Sequence, residues 1–205
     1  LGTASAGATS VAPTVTTTAA GDITLLLVSC KYPGVTPTPP AGWTLLAQYQ
    51  GGSGASGIDS GQVLVSVWYR VEAGSGGGGQ TVTITGGNSA LGRCITFRST
   101  LVPGGTRTWG VAAAGGADST PGTAWSVTCD VDPDLQSGDV LLAFSGCNTD
   151  LVTGASGQWS SVVLTVPGAT VTTTQGGNAW SATSSTGNGD DCAVNLSFFS
   201  VAPGA

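Results

Sequence analysis

Residues 21–30 read Gly-Asp-Ile-Thr-Leu-Leu-Leu-Val-Ser-Cys, a turn signal followed by a run that is apolar almost throughout. A short apolar run bounded by turn residues is typical of a strand covered on both faces. We therefore predict that residues 23–30 form a central strand. A proline-rich loop follows, and proline cannot donate to a strand ladder. Trp43 then opens the next predicted strand.

The same pattern occurs a second time, in a weaker form. Residues 138–147 again begin with Gly-Asp, continue as an apolar run and end on a cysteine. A tryptophan, a further cysteine and a Pro-Gly pair follow in the same order in both halves. Self-similarity of this kind indicates a repeat architecture. We interpret the chain as two pseudo-repeats, about 8–104 and 120–205, joined by a linker over 103–122.

Short β-type runs separated by turn signals make up the rest of the chain. No segment shows a 3.6-residue apolar period over ten residues, so very little helix is expected. The predicted strands cover residues 10–18, 23–30, 43–50, 62–72, 81–85, 94–98, 124–129, 140–144, 159–166, 170–174, 179–184 and 192–201. About twelve strands with frequent turns are typical of an all-β protein, a two-sheet β-sandwich or jelly roll.

We expect a single body over residues 1–205 with an N-terminal arm at 1–12. Two tandem small sandwiches are the alternative, which is less favoured because smaller domains bury a smaller fraction of their surface. The uncharged segment 4–15 could pair with the sheet edge of a neighbouring copy, since open edges recruit strands.

The composition excludes several classes of partner. Charged residues are 8% of the chain and the net charge is −6, against about 25% charged residues in ordinary domains. The five basic residues are scattered, so nucleic-acid binding has no electrostatic footprint. No apolar run approaches the ~20 residues of a membrane-spanning helix. We therefore predict neither a nucleic-acid partner nor a membrane segment.

Catalytic chemistry has little support. The chain contains no histidine, which excludes Ser-His-Asp and Cys-His catalysis and most zinc sites. The one glutamate, Glu72, lies at a strand end, and the aspartates lie mostly in turns. We predict that the protein is not an enzyme and has no cofactor.

The odd number of cysteines leaves two interpretations open. The five are Cys30, Cys94, Cys129, Cys147 and Cys192. The favoured interpretation is small buried residues made in a reducing compartment. The alternative is a disulfide, Cys30–Cys94 or its mirror Cys147–Cys192, whose connectivity a sequence cannot decide.

The sequence offers two candidate ligand sites. Alternating carboxylates suit calcium, and the candidates are Asp130, Asp132, Asp134 and Asp139. Pro133 interrupts this loop, so a solvated turn is the favoured interpretation. Flat aromatic rings can stack on sugars, and Trp109 and Trp125, in or near the glycine-rich linker, are the glycan candidates. Trp43 and Trp159 are expected in the core.

Four stretches of the first half resemble β-rich virion structural proteins of tailed bacteriophages, namely residues 21–27, 40–46, 67–71 and 94–98. The resemblance covers most of residues 8–104. It implies a surface decoration or head-fibre protein that binds or stabilises the capsid. The implied partners are further copies of the chain, most of all in a homotrimer, and a major capsid or tail protein. The implied location is the virion surface, after synthesis in the host cytoplasm.

The alternative is a tail-associated adhesin or a secreted glycan-binding module. No functional residues carry over.

Overall fold

The structure, a computed structural model, describes residues 1–3, 5–31, 34, 36–51, 62–87 and 90–99. It also describes the backbone of residues 108–122, 124–129, 140–147, 159–165, 178–184 and 190–202, with side chains only at Trp109, Val111 and Ala113. The elements in these ranges are β-strands, and every pairing between them is antiparallel. The predicted all-β class is confirmed.

Fifteen strands lie within the described ranges. They are β1 (Ser5–Gly7), β2 (Ser10–Val11), β3 (Thr14–Val15), β4 (Ile23–Lys31), β5 (Thr44–Gly51), β6 (Val63–Val71), β7 (Gly78–Gly79), β8 (Val82–Thr83), β9 (Ala90–Phe97), β10 (Thr108–Gly122), β11 (Ala124–Cys129), β12 (Val140–Cys147), β13 (Trp159–Thr165), β14 (Asn178–Ser184) and β15 (Asp190–Ala202). The predicted strand at 170–174 lies outside the described residues.

Strand β4 lies at the centre of a five-stranded sheet with the order β1-β9-β4-β6-β5. Eight of its nine residues are buried, and the exception is Ser29. Leu26 lies opposite Cys94 on one side and Trp68 on the other. The predicted central strand is thus confirmed, because an apolar run without alternation needs cover on both faces.

One face of this sheet is covered by the N-terminal segment. Leu26 and Val28 of β4 belong to a core cluster with Val11, Val15 and Val82, which the short pairs β2–β8 and β3–β7 supply. Burying an aliphatic side chain of this size contributes about 1.5–3 kcal/mol. The N-terminal segment is therefore part of the core and not only a connection.

The N-terminal arm expected at residues 1–12 contributes strands to the described structure. Strand β1 pairs with β9 of the same chain, and the Gly2 N–H donates to the Cys94 carbonyl over 3.0 Å. The approach is close, since a Cβ at Gly92 would lie 2.8 Å from Val11 Cγ2. Residues 5–7 thus lie along the sheet edge of their own chain. The single strand expected at 10–18 is divided into β2 and β3, with Pro13 between them.

The opposite face carries a second cluster, built on Ile23, Leu25 and Leu27. Trp109 and Val111 of β10 pack against it. The residues of β10, expected to belong to a linker over 103–122, form a strand that pairs with β15. Glycine and alanine have low β-propensity, which explains why the composition predicts a connection.

The described strands of the second half form further antiparallel pairs. They form two three-stranded sheets, β10-β15-β12 and β11-β14-β13. The pair β12–β15 corresponds to β4–β9, and β13–β14 corresponds to β5–β6. The described sheets of the two halves differ, because β4 pairs with β6 whereas β12 and β14 belong to different sheets.

Candidate functional site

The pair Gly21-Asp22 forms a corner on which several strands meet. Gly21 has a φ of +84°, a left-handed conformation that glycine adopts without a Cβ penalty. Its N–H donates to the Glu72 carbonyl over 2.8 Å. Its carbonyl accepts the indole N–H of Trp109 over 2.6 Å. The corner therefore connects the start of β4 with the end of β6 and the start of β10.

The Asp22 side chain is fully buried and surrounded by donors. Its Oδ2 accepts the Ala19 N–H and the Arg98 guanidinium, each over 2.8 Å. Its Oδ1 accepts the N–H of Ser99 over 2.9 Å and the Ser99 hydroxyl over 3.3 Å. Arg98 also donates to the Thr17 carbonyl. The carboxylate thus joins the segment before β4 to the end of β9.

The electrostatics of this corner favour an ionised carboxylate. Burial alone raises the pKa of Asp22, but the hydrogen bonds from the Ala19 and Ser99 N–H groups and the charge of Arg98 outweigh it. The pKa of Asp22 is therefore lowered in the folded state. A carboxylate held ionised by this many donors is a poor general acid or base. The corner is a structural site, and sequence reasoning identified its two residues only as a turn.

A second polar group lies near the same end of the sheet. The Arg70 guanidinium stacks over Trp43, with Cζ 4.5 Å from the ring centroid. Its Nε and Nη2 donate to Glu72 Oε1 over 3.2 and 3.1 Å. The Trp43 indole N–H donates to Gln80 Oε1 over 3.1 Å. Glu72 and Gln80 are 7% and 8% exposed, so this group is mostly closed to solvent.

Contacts within the chain already occupy the groups that a ligand would need at this place. Arg70 covers one face of the Trp43 ring, the indole N–H is already bonded, and Arg70 neutralises Glu72. A glycosidase needs two carboxyl groups flanking a bond. Within the described residues, Glu72 is the one carboxylate of this group. We find no catalytic constellation in the part of the chain that the structure describes.

Of the two glycan candidates, Trp109 and Trp125, the structure describes the side chain of Trp109 alone. Trp109 is half-buried against the second core cluster, and its N–H is bonded to Gly21, so its ring is not a free stacking face. The side chains of Trp125 and Trp159 lie outside the described residues. Trp43, expected in the core, is half-buried at its margin, whereas Trp68 is buried at 3% exposure.

Trp109→Phe should lower the free energy of unfolding by about 1 kcal/mol, because it removes one hydrogen bond while keeping an aromatic ring. Trp109→Ala should cost about 3 kcal/mol, since it also removes the packing of the ring. Urea unfolding followed by circular dichroism measures both. A stability unchanged in both variants would show that Trp109 does not hold β10 to the corner.

The calcium candidates Asp130, Asp132, Asp134 and Asp139 lie outside the described residues. Among the residues that are described, no group of three or more histidine, cysteine, aspartate or glutamate side chains could hold a metal ion.

The proposed Cys30–Cys94 disulfide is wrong, because both thiols are free and buried. The register places Cys30 opposite Ala90, and Cys94 opposite Leu26. Burial raises the pKa of each thiol to about 12. For these two residues the interpretation as small buried side chains is confirmed, and neither is a reactive thiolate.

Comparison with protein-family models, with curated proteins and with solved structures gave no significant match. Within the described part of the chain, no helix has the length and apolar character needed to cross a bilayer.

Proposed function

We propose that the chain is a non-enzymatic structural protein of a bacteriophage virion, a surface decoration or head-fibre protein that binds or stabilises the capsid. One observation carries the proposal. The charged side chains of the described part are mostly used inside the chain, which leaves a surface dominated by small uncharged residues. A soluble particle normally has about 25–35% charged residues on its surface.

The ion pairs account for most of these charges. Asp22 pairs with Arg98 over 2.8 Å, and Glu72 pairs with Arg70 over 3.1 Å. Lys31 is only 5% exposed. Three large apolar side chains, Leu45, Val71 and Leu91, are about half exposed, at 49%, 50% and 51%. A surface of this kind is suited to contact with other copies or with a shell protein.

The fold that we propose for this role is a two-sheet β-sandwich or jelly roll built from both pseudo-repeats in one body. Strands β10 and β15 lie against β5 and β6 of the five-stranded sheet, and Trp109 and Val111 enter its core cluster. This packing favours one body over two tandem sandwiches. A stiff antiparallel body suits a module repeated on a symmetric shell.

Light scattering of the purified chain over a concentration series tests the assembly. We expect a closed homo-oligomer, with a trimer as the first expectation, and we expect it to persist on dilution. The companion measurement is mass spectrometry of gradient-purified virions from the encoding phage, where the chain should be present in many copies per capsid. A monomer at all concentrations together with absence from purified particles would overturn the proposal.

The alternative of a tail adhesin or secreted glycan-binding module is an outcome of the same test. It is favoured by a monomer in solution combined with binding on a glycan array that Trp125→Ala abolishes. The described tryptophans give it little support, because Trp43, Trp68 and Trp109 are each covered or bonded within the chain.

A further inference from the structure

Two cysteines of the second half lie directly opposite each other. Strand β12 pairs with β15, and the last pair in the register is Cys147 with Cys192. Directly opposed residues of an antiparallel pair have Cα atoms about 4.5 or 5.5 Å apart and side chains on the same face. A disulfide needs a Cα separation of about 4.4–6.8 Å. The register alone therefore brings these two positions within reach.

The first half provides an internal comparison. In the corresponding pair β4–β9, Cys30 lies opposite Ala90 and Cys94 lies opposite Leu26. The two cysteines are thus offset by four residues along the strands, which is about 13 Å at about 3.3 Å per residue. That separation is too large for a bond, and both thiols are free. The two strand pairs thus differ in register, since Cys147 lies opposite Cys192 whereas Cys30 and Cys94 are offset.

We propose that Cys147 and Cys192 form a cross-strand disulfide, a covalent modification site that closes when the protein meets a disulfide oxidant. In the reaction with oxidised glutathione, the thiolate of one cysteine attacks a glutathione sulfur and releases one reduced glutathione. The second cysteine then attacks the mixed disulfide, forms the Cys147–Cys192 bond and releases the second reduced glutathione. The two protein thiols are oxidised, and one glutathione disulfide is reduced to two thiols.

The bond would act on a weakly held strand. Among the described strands, β12 is at the edge of the sheet β10-β15-β12 and pairs with β15 alone. Cys147 is the last residue of β12, so the bond pins the end of the edge strand to the central strand of that sheet. Thiols stay reduced in a cytoplasm and pair outside it. The bond would therefore form after the chain leaves the cell, and the inference does not depend on the proposed virion role.

Incubation of the full chain with oxidised glutathione tests the proposal. After denaturation and alkylation, intact mass should show three alkylated cysteines and one bond. Trypsin leaves residues 108–205 as one peptide, because the last basic residue is Arg107. Chymotrypsin is therefore needed to separate the two cysteines, since Trp159 and Trp180 lie between them. The linked peptides should contain Cys147 and Cys192.

Oxidation should also raise the melting temperature by about 5–10 °C, because the bond closes a long loop. Cys147→Ser and Cys192→Ser should each abolish this rise, whereas the control Cys129→Ser should keep it. Five alkylated cysteines after oxidation, a persistent mixed disulfide with glutathione, or a bond that includes Cys129 would each overturn the proposal. An equal rise in Cys147→Ser would do the same.

Discussion

Asp22→Ala is expected to lower the free energy of unfolding by about 3–5 kcal/mol, because it removes the acceptor of two backbone N–H groups and the charge partner of Arg98. The substitution leaves the Ala19 and Ser99 N–H groups without an acceptor. In the native chain these groups donate to Asp22 over 2.8 and 2.9 Å. The substitution also removes the partner of Arg98. In a chain of this size the melting temperature should fall by roughly 10 °C or more, as calorimetry would show.

The pH dependence of stability gives a second signature of the same site. Because the pKa of Asp22 is lowered in the folded state, its stabilising contribution is present in full above the unfolded pKa of about 3.9. That contribution is lost as the pH falls through the lower pKa of the folded state. The stability difference between the native chain and Asp22→Asn should therefore be largest near neutral pH and shrink below about pH 4.

A comparison of two arginines in the first half of the chain tests this corner, with Arg98 as the test position and Arg93 as its control. Arg98 is bonded to Asp22 and Thr17, whereas Arg93 is exposed on β9. Arg98→Ala should destabilise the protein clearly, while Arg93→Ala should stay within about 0.5 kcal/mol of the native chain. Equal effects at both positions would show that the Asp22 corner contributes nothing specific.

Leu26→Ala should cost about 2–5 kcal/mol, because it opens a cavity in the centre of the sheet. Leu26 is 0% exposed and belongs to the cluster under the N-terminal segment. Leu91→Ala removes the same atoms from a side chain that is 51% exposed, and it should cost less than about 0.5 kcal/mol. Urea unfolding of both variants makes the comparison. Similar losses in the two would contradict the assignment of Leu26 to a closed core.

The central strand could be predicted from the sequence because a strand that is buried on both faces is apolar at nearly every position. Residues 23–30 are apolar without alternation, and turn residues bound them. The same reasoning could not find β10, since its small residues carry no apolar period. That strand depends on its partner: the register places Ala112 opposite Phe198 and Val111 opposite Phe199. A pairing between distant segments has no signal in either segment alone.

The polar corner was beyond sequence reasoning for a related reason. Gly-Asp before an apolar run is a common turn signal, and it says nothing about whether the aspartate is exposed. Arg98 and Ser99 reach Asp22 only because β9 lies next to β4 in the sheet. Cysteine pairing was equally open, since spacing along the chain cannot show whether two strands are in register.

The pairing of the N-terminus with β9 also has a consequence for how fast the chain folds. Ser5 pairs with Gly92, and Thr108 pairs with Ala202, so the sheets are closed by segments far apart in sequence. Topologies dominated by such distant pairings fold slowly, on the order of milliseconds to seconds. During synthesis the first residues must wait for β9, which ribosomes moving at about 5–20 residues per second deliver only after several seconds. Until then the apolar face of β4 lacks its cover, so newly made chains should depend on chaperones more than mature ones.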